Sequence, residues 1–200
     1  MQNKIINSDI TNIVDMGFYN LIENCMFVGD NIKIGNHCTI KNSIIKSGTS
    51  ITDSYIEDAI IGSECSIGPY SRIRPKTQIG NNCKIGNFVE IKNSKIGDNS
   101  KASHLSYIGD AIVGKNVNIG CGVVFCNYNG CEKNISIVGN NCFLGSNANI
   151  IAPVKIEDDT YICAGTTVTK STQKGDFVVG RARDEAKPNY SYYLKNKCNK

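Results

Sequence analysis

The sequence predicts an all-β fold, a three-sided stack of parallel coils, from three observations. An aliphatic residue returns every six positions, and glycine often follows it. The composition, with nineteen Gly, four Pro and no Trp in 200 residues, points to turns rather than a helical bundle. A period of six fits neither a 3.6-residue helix nor an unbroken two-residue strand alternation. It does fit short strands divided by corners, with the aliphatic and a small residue turned inward and Gly relieving the bends. Three such sides close a coil of about eighteen residues, and coils stack by parallel pairing at about 4.8 Å. The open ends of such a stack require caps.

The elements follow in order. Ahead of the repeat, Ile10, Ile13, Val14, Phe18, Leu21 and Ile22 have helical spacing behind Ser8-Asp9, so residues 1–27 are expected to form a helical cap. The repeat opens at Val28 with VGDNIK and IGNHCT, and from Ile61 reads IGSECS, IGPYSR, IRPKTQ, IGNNCK and IGNFVE. It resumes at Ile96 with IGDNSK, ASHLSY, IGDAI, VGKNVN and IGCGVV, then closes with VGNNCF, LGSNAN, IIAPVK, IEDDTY and ICAGTT. Five-residue steps at Ile40–Ile45, Ile91–Ile96 and Ile108–Val113 shift the register. This domain spans 28–180, broken by FCNYNGCEKNISI, an extruded loop over 125–137 of the kind where function tends to sit. The tail, 181–200, carries Tyr190, Tyr192, Tyr193 and Leu194 and is too short to persist as a helix alone. It is expected to pack on the prism or on a neighbour, so the termini are short and helical or irregular.

Composition excludes several classes. Twenty-two Lys and Arg against eighteen Asp and Glu give a net charge of +4 with no basic run, which argues against a nucleic-acid partner. No stretch of eighteen apolar residues marks a membrane span. Met1–Asn7 lacks the marks of a secretory signal, and a cytoplasmic location is expected. Ten cysteines would suit a disulfide scaffold or a zinc site, but Cys38, Cys65, Cys83 and Cys142 each lie four residues after an aliphatic-Gly pair. A recurring slot of that kind is a packing position for a small hydrophobe, which fits reduced thiols in a reducing cytosol; no metal is expected.

Departures from the repeat carry the chemistry. Arg74 and Lys92 occupy the usual glycine position eighteen residues apart, one above the other on adjacent coils. Two cations at strand spacing suit a phosphate held between them, or are solvated side chains pointing apart. With the five-residue step counted, Asn87, His104 and Cys121 share one column, and Glu90, Tyr107 and Val124 another. His104 is outward-facing and can serve as a base near neutral pH or be a plain surface residue. Glu90 lies close enough in the predicted stack to orient the ring. His37 has no comparable company.

The stretch from Ile67 to Thr169 resembles the acetyltransferase domain of the bifunctional bacterial enzymes that make UDP-N-acetylglucosamine, within the hexapeptide-repeat acyltransferases. The likeness rests on SRIRP, IGNFVEIKNSKIG, KASHLSYIGDAIVGKNVNIG, CNYNG and CAGTTVT, with weaker likeness back to about Asn31. The resemblance implies a left-handed parallel β-helix. It also implies transfer of an acetyl group from acetyl-CoA to the amine of glucosamine 1-phosphate, a step toward UDP-GlcNAc, peptidoglycan and the cell wall. His104 matches the general base and Glu90 its acidic assistant. Arg74, Lys92, Tyr107 and Asn118 match sugar-phosphate ligands, and Lys133 in the loop matches a basic residue of the acceptor site.

On the acetyl-CoA side the matching positions are Cys121, Asn127, Tyr128, Ser146, Ala164 and Arg181. Cys121 stands where the family commonly has Ala, and its backbone N–H suits a thioester oxygen. Two positions depart from the pattern: Ile135 replaces a basic residue, and Lys76 replaces the Gly expected after Arg74-Pro75. The family forms homotrimers with intersubunit active sites. Its nucleotide-binding domain has no counterpart here, where no GxGxxG or P-loop occurs, so a separate uridylyltransferase is expected. The alternatives are another amino sugar or nucleotide-linked sugar as acceptor, or a non-catalytic trimeric scaffold.

Overall fold

The computed structural model describes residues 2–192 as a parallel β-solenoid. Its strands, two to four residues long, form three sheets of ten, eight and ten strands, and successive strands of the chain visit the faces in turn. The first face runs from Lys4–Ile6 to Thr167–Val168, the second from Met26–Val28 to Lys155–Ile156, and the third from Ile13–Met16 to Phe177–Val178. Pairing between neighbouring rungs is parallel throughout, with partners 18 residues apart at Ile73↔Ile91 and 17 at Ile91↔Ile108. The shorter step is the five-residue unit read from the sequence.

Inward residues stack as columns. On the first face Ile22, Ile40, Ile56, Ile73, Ile91, Ile108, Phe125 and Ile150 follow one another, all 0% exposed. Each Ile so buried contributes about 1.5–3 kcal/mol, so hydrophobic burial dominates the stack. The small inward slots are filled as expected: Cys38, Cys65, Cys83 and Cys142 are buried, and their thiols donate to backbone carbonyls of the next rung. Burial pushes the Cys38 and Cys142 thiols above the usual range.

The corners between faces turn through left-handed backbone, largely at Asn and Asp, the residues that tolerate it best. Between the first and second faces these include Asn24, Asn42, Asp58, Asn93 and Asp110. Asn amides link rung to rung there, as from Asn24 Nδ2 to Asn42 Oδ1 at 3.1 Å.

One expectation fails and another is narrowed. Residues 8–24 form no helix: they contain the strands Ile13–Met16 and Leu21–Glu23, and the coil begins at Lys4 rather than Val28. The apolar spacing that mimics a helix is a rung pattern, since Ile10, Ile13 and Met16 pack against the core and Ile22 is fully buried. The tail's expected packing on the prism is confined to Arg181, which donates to Ala164 O; every residue from 181 to 192 is exposed, ending in a helical turn at 190–192, which leaves a neighbour as the other expected place. Tyr193 and Leu194 lie outside the described residues. Among the described residues no helix is long and apolar enough to cross a membrane.

The buried slots make a prediction about thiol chemistry. In the folded protein Cys131, which is exposed, reacts with a soluble thiol reagent at least about 100-fold faster than Cys38, Cys65, Cys83 or Cys142. Mass-spectrometric mapping of the labelled sites reads this directly. Comparable labelling of all five without denaturant contradicts the packing.

Candidate active site

The register arranges the outward residues into columns. On the first face Arg72, Glu90, Tyr107, Val124 and Asn149 are successive partners. Two residues on, Lys92 pairs with Gly109, and Arg74 N donates to Ile91 O, which stacks Arg74, Lys92 and Gly109 at the corner toward the second face. A Cβ at Gly109 would meet the Tyr107 ring and hydroxyl at 2.5–2.8 Å. Glycine at that point is what lets the phenol lie across the corner.

Each stacked cation has a carboxylate. Arg74 Nη1 donates to Glu90 Oε1 at 2.7 Å, and Lys92 Nζ lies 3.8 Å from Asp110 Oδ2. Asp110 is 6% exposed and also accepts bonds from the side-chain amides of Asn93 and Asn127. Burial alone would raise its carboxyl. The two amides and the charges of Lys92 and Lys133 outweigh that and hold it below the ordinary value of 3.8.

Asn127 begins the segment that leaves the coil between Val124–Cys126 and Ser136–Val138. That segment folds back on itself through a Tyr128↔Lys133 bridge, an Asn134 N to Asn127 O bond of 2.7 Å, and an Asn129 side chain that accepts from the Cys131 and Glu132 amides. The turn carries Lys133 to Lys92, whose neighbouring ammonium pushes the Lys133 ammonium below its usual range.

The result is a cleft of about 360 Å³ lined by Arg74, Lys76, Lys92, Asp110 and Lys133, among others. With Glu90 beside it, four cations face two carboxylates. Such a site attracts a dianion, and a phosphate monoester has the matching charge and acceptor geometry.

His104 lies on the third face, paired with Asn87 and exposed. Its column continues through Cys121, Ser146 and Ala164: Asn118 pairs with Lys101 and with Phe143, and the bonds Asn147 N to Cys121 O and Gly165 N to Ser146 O keep the register beyond the strands. Rungs are about 4.8 Å apart, so these four residues line a strip about 14 Å long. Arg181 closes its far end, donating from Nη1 to Ala164 O at 2.8 Å.

The geometry thus brings Arg74, Glu90, Lys92, Tyr107 and Lys133 together, and His104, Cys121, Ser146, Ala164 and Arg181 along one strip. It differs from the sequence reading at four points. The Glu90 carboxylate is engaged by Arg74, and among the described residues no side-chain partner holds the His104 ring. Asn127 is bonded to Asp110 in the cation cluster rather than lying on the strip, because it is the stem of the loop. Asn118 is exposed in a separate cleft with Asn99, Lys101 and Asn116. Tyr128 is exposed, its hydroxyl donating to Gly130 O at 2.6 Å. Asp110 was missed, because it reads as an ordinary turn residue.

Comparison with known proteins gives three results. The family model for bacterial transferase hexapeptide (six repeats) matches residues 58–93 and 135–170. The bifunctional protein GlmU of Chromobacterium violaceum is 47% identical over 178 residues, covering 88% of this chain and 39% of that protein. GlmU of Clostridioides difficile is 52% identical over 160 residues, covering 80% of this chain and 35% of its own. The chain therefore spans about 40% of the length of the curated relatives it matches. Among solved structures, LpxA from Acinetobacter baumannii aligns with a TM-score of 0.41 at 15% identity, covering 86% of this chain and 69% of that one.

The bonds to Asp110 predict a pH-dependent stability. A carboxyl held below 3.8 contributes in full above that value and loses its contribution as the pH falls through the lowered one. Asp110→Asn should cost about 1–3 kcal/mol at pH 7 in urea unfolding, with the gap to the unsubstituted protein closing below pH 3.8. A gap of constant size from pH 7 to pH 3 contradicts the assignment.

Proposed function

The chain belongs to the hexapeptide-repeat transferases and is homologous to the GlmU proteins, and from that premise we propose that it is an acetyl-CoA-dependent N-acetyltransferase of glucosamine 1-phosphate. The observation that carries the acceptor side is the cleft, where four cations face two carboxylates and Lys92 and Lys133 repel each other until an anion arrives. The donor side rests on the strip from His104 to Ala164, long enough for an extended pantetheine arm.

In the proposed reaction the sugar phosphate is held by Arg74, Lys92 and Lys133, with the Tyr107 phenol over the corner. This leaves the C2 ammonium to reach His104, whose neutral imidazole takes one proton. The freed amine attacks the thioester carbonyl carbon, and the carbonyl electron pair moves onto oxygen, which the backbone N–H at Cys121 would polarise. Collapse of the tetrahedral adduct breaks the C–S bond. The coenzyme A thiolate leaves and takes up the proton that His104 carries, and the nitrogen then gives its second proton to the imidazole so freed, giving N-acetylglucosamine 1-phosphate. No acyl-enzyme is formed.

Glu90 acts on this reading through Arg74, fixing the guanidinium against the phosphate, rather than on the imidazole. The homotrimer rests on the family resemblance, and in it Asn118, apart from the cation cleft within one chain, would reach a site from a neighbour's third face.

Thiol release from acetyl-CoA with a panel of amino sugars tests the proposal. Glucosamine 1-phosphate should be the productive acceptor. His104→Ala should lower kcat by about 10²-fold or more, and Arg74→Ala should chiefly raise the acceptor KM. Near-normal turnover of His104→Ala removes the base assignment. Turnover only with a different amino sugar or a nucleotide-linked sugar replaces the acceptor, and silence with every acceptor leaves a non-catalytic scaffold.

A further inference from the structure

Lys76 stands where the fold does not want a lysine. The corner column between the first and second faces, in left-handed backbone from Asn7 to Asp110, consists of Asn7, Asn24, Asn42, Asp58, Lys76, Asn93 and Asp110. Six of the seven are Asn or Asp, whose short polar side chains tolerate that conformation; Lys76 adopts it at φ 65° with no such advantage.

The column is also an amide ladder. Asn7 Nδ2 donates to Asn24 Oδ1 at 2.9 Å and Asn24 continues to Asn42, while above, Asn93 and Asn127 both donate to Asp110. Asp58 and Lys76 lie in the gap between the two halves, and neither side chain makes a ladder bond.

The same corner is widened. Ile73 pairs with Ile56 and Ile91, and Thr77 with Ala59, while Gln78 pairs with Lys95. Three residues, Arg74, Pro75 and Lys76, therefore fill a bend that Glu57-Asp58 below and Lys92-Asn93 above fill with two. The extra residue sets the Lys76 side chain on the wall shared by the 360 Å³ cleft and an adjoining cleft of about 140 Å³ that also holds Lys95 and Ile135. Arg74 and Lys92 are each matched by a carboxylate, whereas among the described residues Lys76 has no ion-pair partner.

A strained backbone position, a break in the ladder and an unneutralised charge at the mouth of an anion cleft have one chemical use in common. We propose that Lys76 is a phosphate-binding residue of the acceptor site, a further cation that sets the preference for a phosphorylated over an unphosphorylated amino sugar. The inference rests on the acetyl-transfer reading for its substrate, though not for its ligand chemistry, which is that of a phosphate group.

Lys76→Asn tests it, because Asn is the residue the column otherwise uses and the fold is kept. The melting temperature of this variant without ligand should equal or exceed that of the unsubstituted protein. The acceptor KM for glucosamine 1-phosphate should rise about tenfold with kcat within about twofold, while the KM for glucosamine moves less than about twofold; Lys76→Arg should restore most of the loss. An equal change for both acceptors, or none for the phosphorylated one, overturns the proposal.

A second readout needs no turnover. Added inorganic phosphate should raise the melting temperature of the unsubstituted protein more than that of Lys76→Asn. If no acceptor is acetylated, the activity fails while this comparison still decides Lys76, and equal phosphate-induced shifts in the two proteins refute its role.

Discussion

The inward column of isoleucines fixes everything that faces outward. Each rung is pinned to the next because a slip of one residue would turn Ile73, Ile91 and Ile108 to solvent and bring Arg72, Glu90 and Tyr107 into the core. At about 1.5–3 kcal/mol per buried side chain, no surface interaction competes with that term. Outward columns such as Arg74–Lys92–Gly109 are therefore consequences of hydrophobic register, and their side chains are placed without having to stabilise the fold. This freedom lets a surface accumulate like charges at rung spacing.

Charge at the corner is managed rather than avoided. Two stacked cations are each answered by a carboxylate, Glu90 for Arg74 and Asp110 for Lys92. Asp110 does more, since its second role is to tie the loop stem through Asn127 and so bring Lys133 over the same cleft. One buried carboxylate thus links the regular coil to the segment that leaves it. The remaining positive surplus is left for a ligand, and the left-handed corner at Lys76 adds to it at a cost in backbone strain.

Much of this was legible in the sequence because a six-residue period has few physical solutions. The five-residue steps, once counted, placed Glu90 beside Tyr107 and Asn87 beside His104, as the pairing has them. The N-terminal segment was misread because Ile10, Ile13, Val14 and Ile22 satisfy helical spacing by accident when degenerate rungs lose their glycines. The partners of the site residues were not legible. Register fixes which residues are neighbours along a column, but whether Glu90 turns to Arg74 or toward the imidazole around the corner is a side-chain matter that spacing does not encode. Asp110 was hidden for a related reason, since Asp at a left-handed corner is what any rung would use.

The claim at the centre is that rung stacking, with a neighbouring copy's third face, brings a base, an anion cleft and an extended thioester strip within reach of one reacting carbon. A crystal structure with coenzyme A and glucosamine 1-phosphate both bound tests it most directly. The account predicts the sugar phosphate against Arg74, Lys92 and Lys133, the C2 nitrogen within hydrogen-bonding distance of a His104 imidazole, and the pantetheine arm along Cys121, Ser146 and Ala164. A sugar phosphate bound away from Arg74 and Lys92, or a C2 nitrogen on the far side of the prism from every His104, would contradict it.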